Sequence, residues 1–424
     1  MKNQLVVILF LGILLLLVSC TSVDTQYQES HEQEEGTKTD SNLEVEEEII
    51  VEEKEGVEEI DEMEQIEEEH ESLSFERNRD PSLPSEAEQA ELLECEGLEF
   101  NNYPVDMSEV YEISPIGNLG PPGHTFPTEH SFIHIGSYET NYNYDLFAPA
   151  DVVITHVSKY PGSIDPWEHT IYFALCKDVI GYYNHVKELS SEFEAILDEY
   201  ECEDWTEQTE GSCSKNVFFE VEAGMLLGQV GANQGNFDFG LMDLRSEHEY
   251  ANPDRNGGRT PHITCAYKYY PNEMRDVFFD LIERDDEEQC GNSAQDILGT
   301  LQGNWYYGDS LASEGIGWDH YLAFVHDNEY PELQAVSVGG VFTDSGVWYF
   351  EPQNSGTVNR NFAEILPGDE IYCYEAQDTD RWQETIPEGK VLVQLASETE
   401  LLIEKQSGSC ESSLSFNDAF AYSR

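Results

Sequence analysis

Three stretches concentrate the side chains able to do metal or proton chemistry. PTEHSFIHIG at 127–136 carries His130 and His134, GYYNHVKELS at 181–190 carries His185, and GQVGANQGNFDFGLMDLR at 228–245 carries Asn236 and Asp238. On extended chain, residues two or four apart point to one side, so His130 can face with His134 and Asn236 with Asp238. Two imidazoles and one carboxylate (His130, His134 and Asp238) are a normal catalytic zinc set with one position left open. Water on such a zinc reaches a pKa of about 7 and becomes a usable nucleophile. In that setting His185 moves protons; Asn236 cannot, although its amide can donate to a developing oxyanion. The competing reading is that these histidines merely satisfy hydrogen bonds in an aromatic core.

The remaining histidines carry less. His124, in a Pro-Gly-His-Thr turn, reads as a surface or supporting residue, and His262 as one that could return toward the motif. His320 and His326 fall on strand-like sequence with no metal spacing. Asp285-Asp286 and Glu287-Glu288 lack the alternating acids and central glycine of a calcium loop. There is no P-loop, nucleotide fingerprint or Gly-x-Ser-x-Gly elbow.

The elements that must position these residues are mainly strands. Residues 150–157, 170–175, 217–221 and 226–230 are rich in β-branched and aromatic side chains and bounded by turn residues. Residues 192–200 and 272–284 have apolar residues at helical spacing, with Pro271 just ahead of the second. These segments form a first domain, 96–290. Residues 291–424 follow, with seven strand-like runs at intervals of about 10–15 residues, a cadence that favours a small antiparallel barrel or sandwich. The fold class expected is therefore mainly β, a β-sheet domain with a few helices followed by that barrel.

Two resemblances sharpen this reading. Ala148-Pro149-Ala150-Asp151-Val152-Val153 opens a turn-and-strand unit, and Val221 to Gly231 closes one with glycines at 224, 228 and 231. Between them lie Tyr183-Asn184-His185-Val186 and Leu189-Ser190. In this order, over roughly 120–245, the chain resembles the lysostaphin-type peptidases, family M23. That family binds zinc through His-x₃-Asp and the second histidine of His-x-His. Its catalytic histidines are the first of His-x-His and the one in Tyr-x-His. Here His134 stands where the family has aspartate, Asp238 where it has a zinc histidine, and Asn236 where it has a catalytic one; His185 is as the family has it. The resemblance thus implies a zinc site whose ligands are kept in kind and exchanged in order. Gly303-Asn304-Trp305-Tyr306 faintly resembles the Gly-x-Trp opening of lipocalin-like barrels, with a filled interior favoured over a ligand-holding one.

The first 20 residues read as a lipoprotein signal peptide. Lys2 precedes an apolar run from Leu5 to Val18, about 14 residues, which suits a signal core better than a membrane span. Leu17-Val18-Ser19-Cys20 resembles a bacterial lipobox, so Cys20 is the expected lipid attachment. Residues 21–95 are dominated by glutamate runs and read as a disordered acidic tether. Eight cysteines remain after Cys20, an even number that suits disulfides in an exported chain; Cys202–Cys213 and Cys373–Cys410 are the expected local pairs. The formal charge is −67, and from residue 96 onward there are 59 acidic against 15 basic residues. That excludes a nucleic-acid binder, which needs clustered Lys and Arg. A cationic partner, a salty habitat and simple solubility all fit it.

The expectation is an extracytoplasmic protein, held to the membrane by its N-terminal lipid, whose degenerate peptidase-like domain binds a cell-wall or extracellular polymer without cutting it. The alternatives are a zinc peptidase or amidase acting on cell-wall peptide, and ligand binding or adhesion through the barrel.

Overall fold

A computed structural model describes residues 83–136, 142–162, 167–202, 211–231, 234–256, 258–284, 286–308, 317–381, 383 and 385–424. Cys20, the signal segment and residues 21–82 of the expected tether lie outside them. Among the described residues no helix is long and apolar enough to cross a membrane.

The chain enters through a short helix, α1 (Glu86–Gln89), in which the Ser85 side chain and Glu88 cap each other reciprocally. Cys95 then bonds to Cys176, so the last residues of the segment read as tether are joined to the β domain. That domain is built on strands β1 (Val110–Ser114), β2 (Ser131–Ile135), β3 (Tyr144–Phe147), β4 (Val152–Tyr160), β5 (Glu168–Cys176), β6 (Val179–Val186), β7 (Glu188–Leu189), β8 (Cys213–Val221), β9 (Leu226–Val230) and β10 (Asn236–Asp243). Helix α2 (Ser191–Leu197) starts where Ser190 Oγ accepts from Phe193 N, and α3 (Asn272–Phe279) follows Pro271.

Seven strands form one antiparallel sheet in the order β1-β2-β10-β6-β5-β4-β8; β3, β9 and β7 form a small second sheet. All eight residues of β10 are buried, which is why Asn236-Phe237-Asp238-Phe239-Gly240 reads as a run of apolar residues interrupted by two polar ones. Phe237, Phe239 and Leu241 face the core beside Tyr183 and Phe173. Asn236 and Asp238, two apart, therefore share the opposite face. Gly240 lies beneath the Tyr182 ring; a methyl group there would meet that ring at 2.1 Å.

The remaining strands are β11 (Gly303–Tyr306), β12 (Tyr321–His326), β13 (Gln334–Val338), β14 (Gly346–Phe350), β15 (Tyr372–Tyr374), β16 (Lys390–Leu395), β17 (Glu400–Gln406) and β18 (Phe420–Ser423). They form an eight-stranded antiparallel sheet, β14-β13-β12-β11-β18-β17-β16-β15, curled into a nearly closed barrel. Beyond β15, Gln377 N donates to Tyr349 O of β14 at 2.8 Å, drawing the two edges together. Trp305, Phe324, Trp348, Phe350, Phe362 and Tyr374 fill the interior. The fold is mainly β, as the sequence leads one to expect.

Arg424 pins the last strand to the first. Its guanidinium lies over Trp305 at 4.3 Å, and its Nη1 and Nη2 donate to Gln302 O at 3.0 Å and Thr300 O at 2.6 Å. Arg424→Ala is expected to lower stability by about 2 kcal/mol, by leaving the Thr300 carbonyl without its donor, Gln302 O with only Ile297 N, and the ring without its cation. A denaturant midpoint unchanged within error would show that the pin contributes nothing.

Candidate functional site

Three adjacent strands, β2, β10 and β6, set the site. Asp238 pairs across β2 with Phe132 and across β6 with Asn184; Asn236 pairs with His134. Asp238 is 1 % exposed, and one of its oxygens, Oδ2, gathers the polar side chains around it. His130 Nε2 lies 3.3 Å from it, His185 Nε2 3.4 Å, and Asn184 Nδ2 donates to it at 3.0 Å. Asn184 is itself fixed by Thr170 Oγ1, which donates to its Oδ1 at 2.7 Å, and by Tyr160. Asp238 Oδ1 and His130 Nε2 are both buried without a hydrogen-bond partner among the described residues.

His185 reaches Asp238 by an unusual backbone. Its φ is +62°, a left-handed conformation that a non-glycine residue enters only at a cost of about 1–3 kcal/mol. The far side of its ring meets a second carboxylate: Nδ1 lies 2.5 Å from Glu168 Oε2, while Glu168 Oε1 accepts from Lys187 Nζ at 2.5 Å. Burial works against a charged His185, but Asp238 and the bond to Glu168 outweigh it and raise its pKa above the ordinary histidine value. Burial likewise works against a charged Glu168, yet the donors His185 and Lys187 hold its pKa below the ordinary value. The result is a row of alternating basic and acidic side chains, Lys187–Glu168–His185–Asp238.

His130 is in the opposite state. Burial drives its imidazole down to about 4, with Asp238 only partly offsetting this. Its Nδ1 faces Tyr182 Oη at 3.3 Å, and the His124 ring stands edge-on at 5.7 Å. His124 is thus packed beside the site, and burial lowers its pKa too.

His134 does not join this group. Its Nε2 is 3.0 Å from Ser114 Oγ on β1, and Ser114 Oγ in turn donates to Glu329 Oε1 at 3.4 Å. Between the two histidines stands Phe132, its ring centroid 4.9 Å from that of His130 and 6.5 Å from that of His134. Four residues of extended chain run about 13 Å, so a shared face does not bring i and i+4 to a shared point. The expected zinc set of His130, His134 and Asp238 therefore does not converge, and among the described residues no three His, Cys, Asp or Glu side chains are grouped to hold a metal ion. Asn236 is buried, its Oδ1 accepting from Gln234 Nε2 at 3.0 Å.

Sequence reasoning passed over Glu168, Lys187, Asn184 and Ser114. The first two had a signal. β5 and β6 are joined by a tight turn at Lys177-Asp178, and counting outward from it places His169 opposite Val186, hence Glu168 near Lys187.

Compared with known proteins, the chain matches no family model and no curated sequence significantly. What it does must be argued from its own residues.

Chemically, the group around Asp238 is a packed polar network in which Asp238 Oδ1 and His130 Nε2 are left without a hydrogen-bond partner among the described residues. The His185 ring has both nitrogens against carboxylates, and the His130 ring is buried. His185 reaches solvent with 21 % of its side chain; beside the group, His134 is partly exposed and Tyr111, on β1, is 52 % exposed, with ring centroids 5.9 Å apart.

Proposed function

We propose that this chain is an extracytoplasmic lipoprotein, anchored through Cys20, whose first β domain binds a cell-wall or extracellular polymer without cutting it. The observation that carries the non-cleaving reading is the diversion of His134 to Ser114. With His134 on Ser114 and Asn236 where the lysostaphin-type pattern has a proton-moving histidine, the domain lacks both an assembled ligand set and a proton-transfer pair. Export is supported by the cysteines: all eight beyond Cys20 are paired, as Cys95–Cys176, Cys202–Cys213, Cys265–Cys290 and Cys373–Cys410, which suits an oxidising compartment. The polymer would lie across the outer ends of β1, β2 and β10, where Tyr111 offers a ring and His134 a hydrogen-bonding edge. A tyrosine supplies large contact area at low entropic cost, which suits it to such a face.

The test is co-sedimentation of the purified protein with insoluble cell wall, with zinc added or chelated. The expected result is zinc-independent binding, weakened about tenfold by Tyr111→Ala together with His134→Ala, with no new amino termini released. The zinc peptidase or amidase reading would be restored by stoichiometric zinc in the purified protein and by release of peptide that His185→Ala abolishes.

A further inference from the structure

The face of β1 and β2 that carries Tyr111 and His134 continues toward the barrel as a file of rings. By ring centroids, Tyr111 lies 5.9 Å from His134, His134 6.5 Å from Phe132, and Phe132 6.0 Å from His124. The residue before His124, Gly123, is exposed and lies against Trp318; a methyl group on it would meet the indole at 3.7 Å. Trp318 opens the single helical turn Trp318–His320 that leads into β12, and it is 48 % exposed. The file therefore ends in an exposed ring on both sides, Tyr111 from the first β domain and Trp318 from the barrel.

His124 is the polar group beside Trp318. Its ring is partly exposed and makes no hydrogen bond among the described residues. Burial lowers its pKa, so at neutral pH the imidazole is uncharged, one nitrogen donating and the other accepting. The Trp318 indole N–H also has no partner among the described residues.

An uncharged donor–acceptor pair beside an open indole selects among ligands. An anion finds no positive charge in His124, and the excess of acidic over basic residues repels it. A peptide adding to the sheet needs main-chain groups on the outer side of β1. There Ile113 N already donates to Leu281 O at 2.9 Å, and just beyond the strand Ile116 N donates to Cys290 O at 2.8 Å. A sugar ring fits both groups: its C–H face packs on an aromatic ring, and its neighbouring hydroxyls both donate and accept. We propose that Trp318 and His124 form a saccharide subsite, and that the polymer crossing β1 and β2 is an uncharged glycan held by both domains. The proposal rests on that face being the polymer site.

Co-sedimentation of the whole protein with insoluble cell wall, and with its glycan strands after an amidase has removed the peptides, tests this. Equal binding to both is expected, unchanged in about 1 M salt, where the screening length is ~3 Å. Trp318→Ala should weaken binding about tenfold, as loss of an aromatic anchor does. His124→Phe, which keeps a ring and removes both nitrogens, should weaken it severalfold. Trp318 is half exposed, so its variant folds. Leu366→Ala, which removes an apolar side chain 65 % exposed elsewhere on the barrel, should change nothing. A parent protein that ignores the wall overturns the polymer site and the subsite with it. Wall binding that Tyr111→Ala with His134→Ala weakens, but Trp318→Ala and His124→Phe do not, overturns the subsite alone. Binding that is lost with the peptides, or released by salt, makes the ligand a peptide and overturns the glycan assignment.

Discussion

Cys95→Ser with Cys176→Ser is expected to lower stability by about 4.5 kcal/mol, the loop-closure entropy of a bridge spanning this length of chain. The two cysteines are 81 residues apart, and their bond joins the segment ahead of β1 to the end of β5. The same relation gives about 3 kcal/mol for Cys202–Cys213, whose separation is only 11. The contrast between the two pairs is the informative quantity, since both lie in the first β domain and both links tie a strand end to a loop. Equilibrium unfolding of the two double-serine proteins in guanidinium should put the larger loss on the long bridge. Equal losses would mean that local packing, not chain entropy, sets what each bond contributes. Cys176 is also buried in the core at 1 % exposure, so an alanine pair should accompany the serine pair to separate the bond from a buried hydroxyl.

The pairing of those cysteines shows how far the sequence could be read. Cys202–Cys213 is legible because the two are close in sequence, and Cys373–Cys410 because both lie in the C-terminal segment. Cys95–Cys176 joins the segment ahead of β1 to the end of β5, and Cys265–Cys290 joins two turns on either side of α3; periodicity encodes neither. The strands themselves were legible: seven of the eight barrel strands are runs of β-branched and aromatic residues. The eighth, Phe420–Ser423, buries only one of its four side chains, so it lacks the apolar run that marks the others.

The site was legible as a list of residues and not as a place. Tyr183-Asn184-His185 and Asn236-Phe237-Asp238 do lie on neighbouring strands, so the polar positions picked out by alternation converge on Asp238. His134 shows the limit of the same logic. Alternation gives the face, but strand rise sets the distance along it, and Phe132 occupies the intervening position. Ser114, its actual partner, comes from an edge strand whose register only the folded sheet supplies. Glu168 was hidden for a different reason: a glutamate in an acid-rich chain carries no signal until hairpin counting places it opposite Lys187.

Acid titration should expose two buried groups pulling stability in opposite directions. His130 has an 11 % exposed side chain, and burial takes its imidazole to about 4. Between pH 6.5 and about 4 the unfolded chain binds a proton that the folded chain refuses, so stability falls as pH falls, by ~3 kcal/mol over the whole interval. Glu329, in the barrel, is the reverse. Burial raises its carboxyl to about 7, with Arg381 only partly offsetting this and Asp327, Glu112 and Glu283 adding to it. Between pH 4.5 and about 7 the folded chain keeps a proton that the unfolded chain has lost, so stability falls as pH rises, again by ~3 kcal/mol. The two slopes oppose each other from pH 4.5 to 6.5 and largely cancel in the unaltered protein. Substituting either residue removes one of them. His130→Gln should therefore gain on the parent as pH drops from 6.5 to 4.5, and Glu329→Gln should gain on it as pH rises across the same range. Guanidinium unfolding at several pH values, read as differences from the parent, cancels every group the three proteins share. If both difference curves are flat, neither group titrates as its surroundings imply; if both tilt the same way, the sign assigned to one of them is wrong.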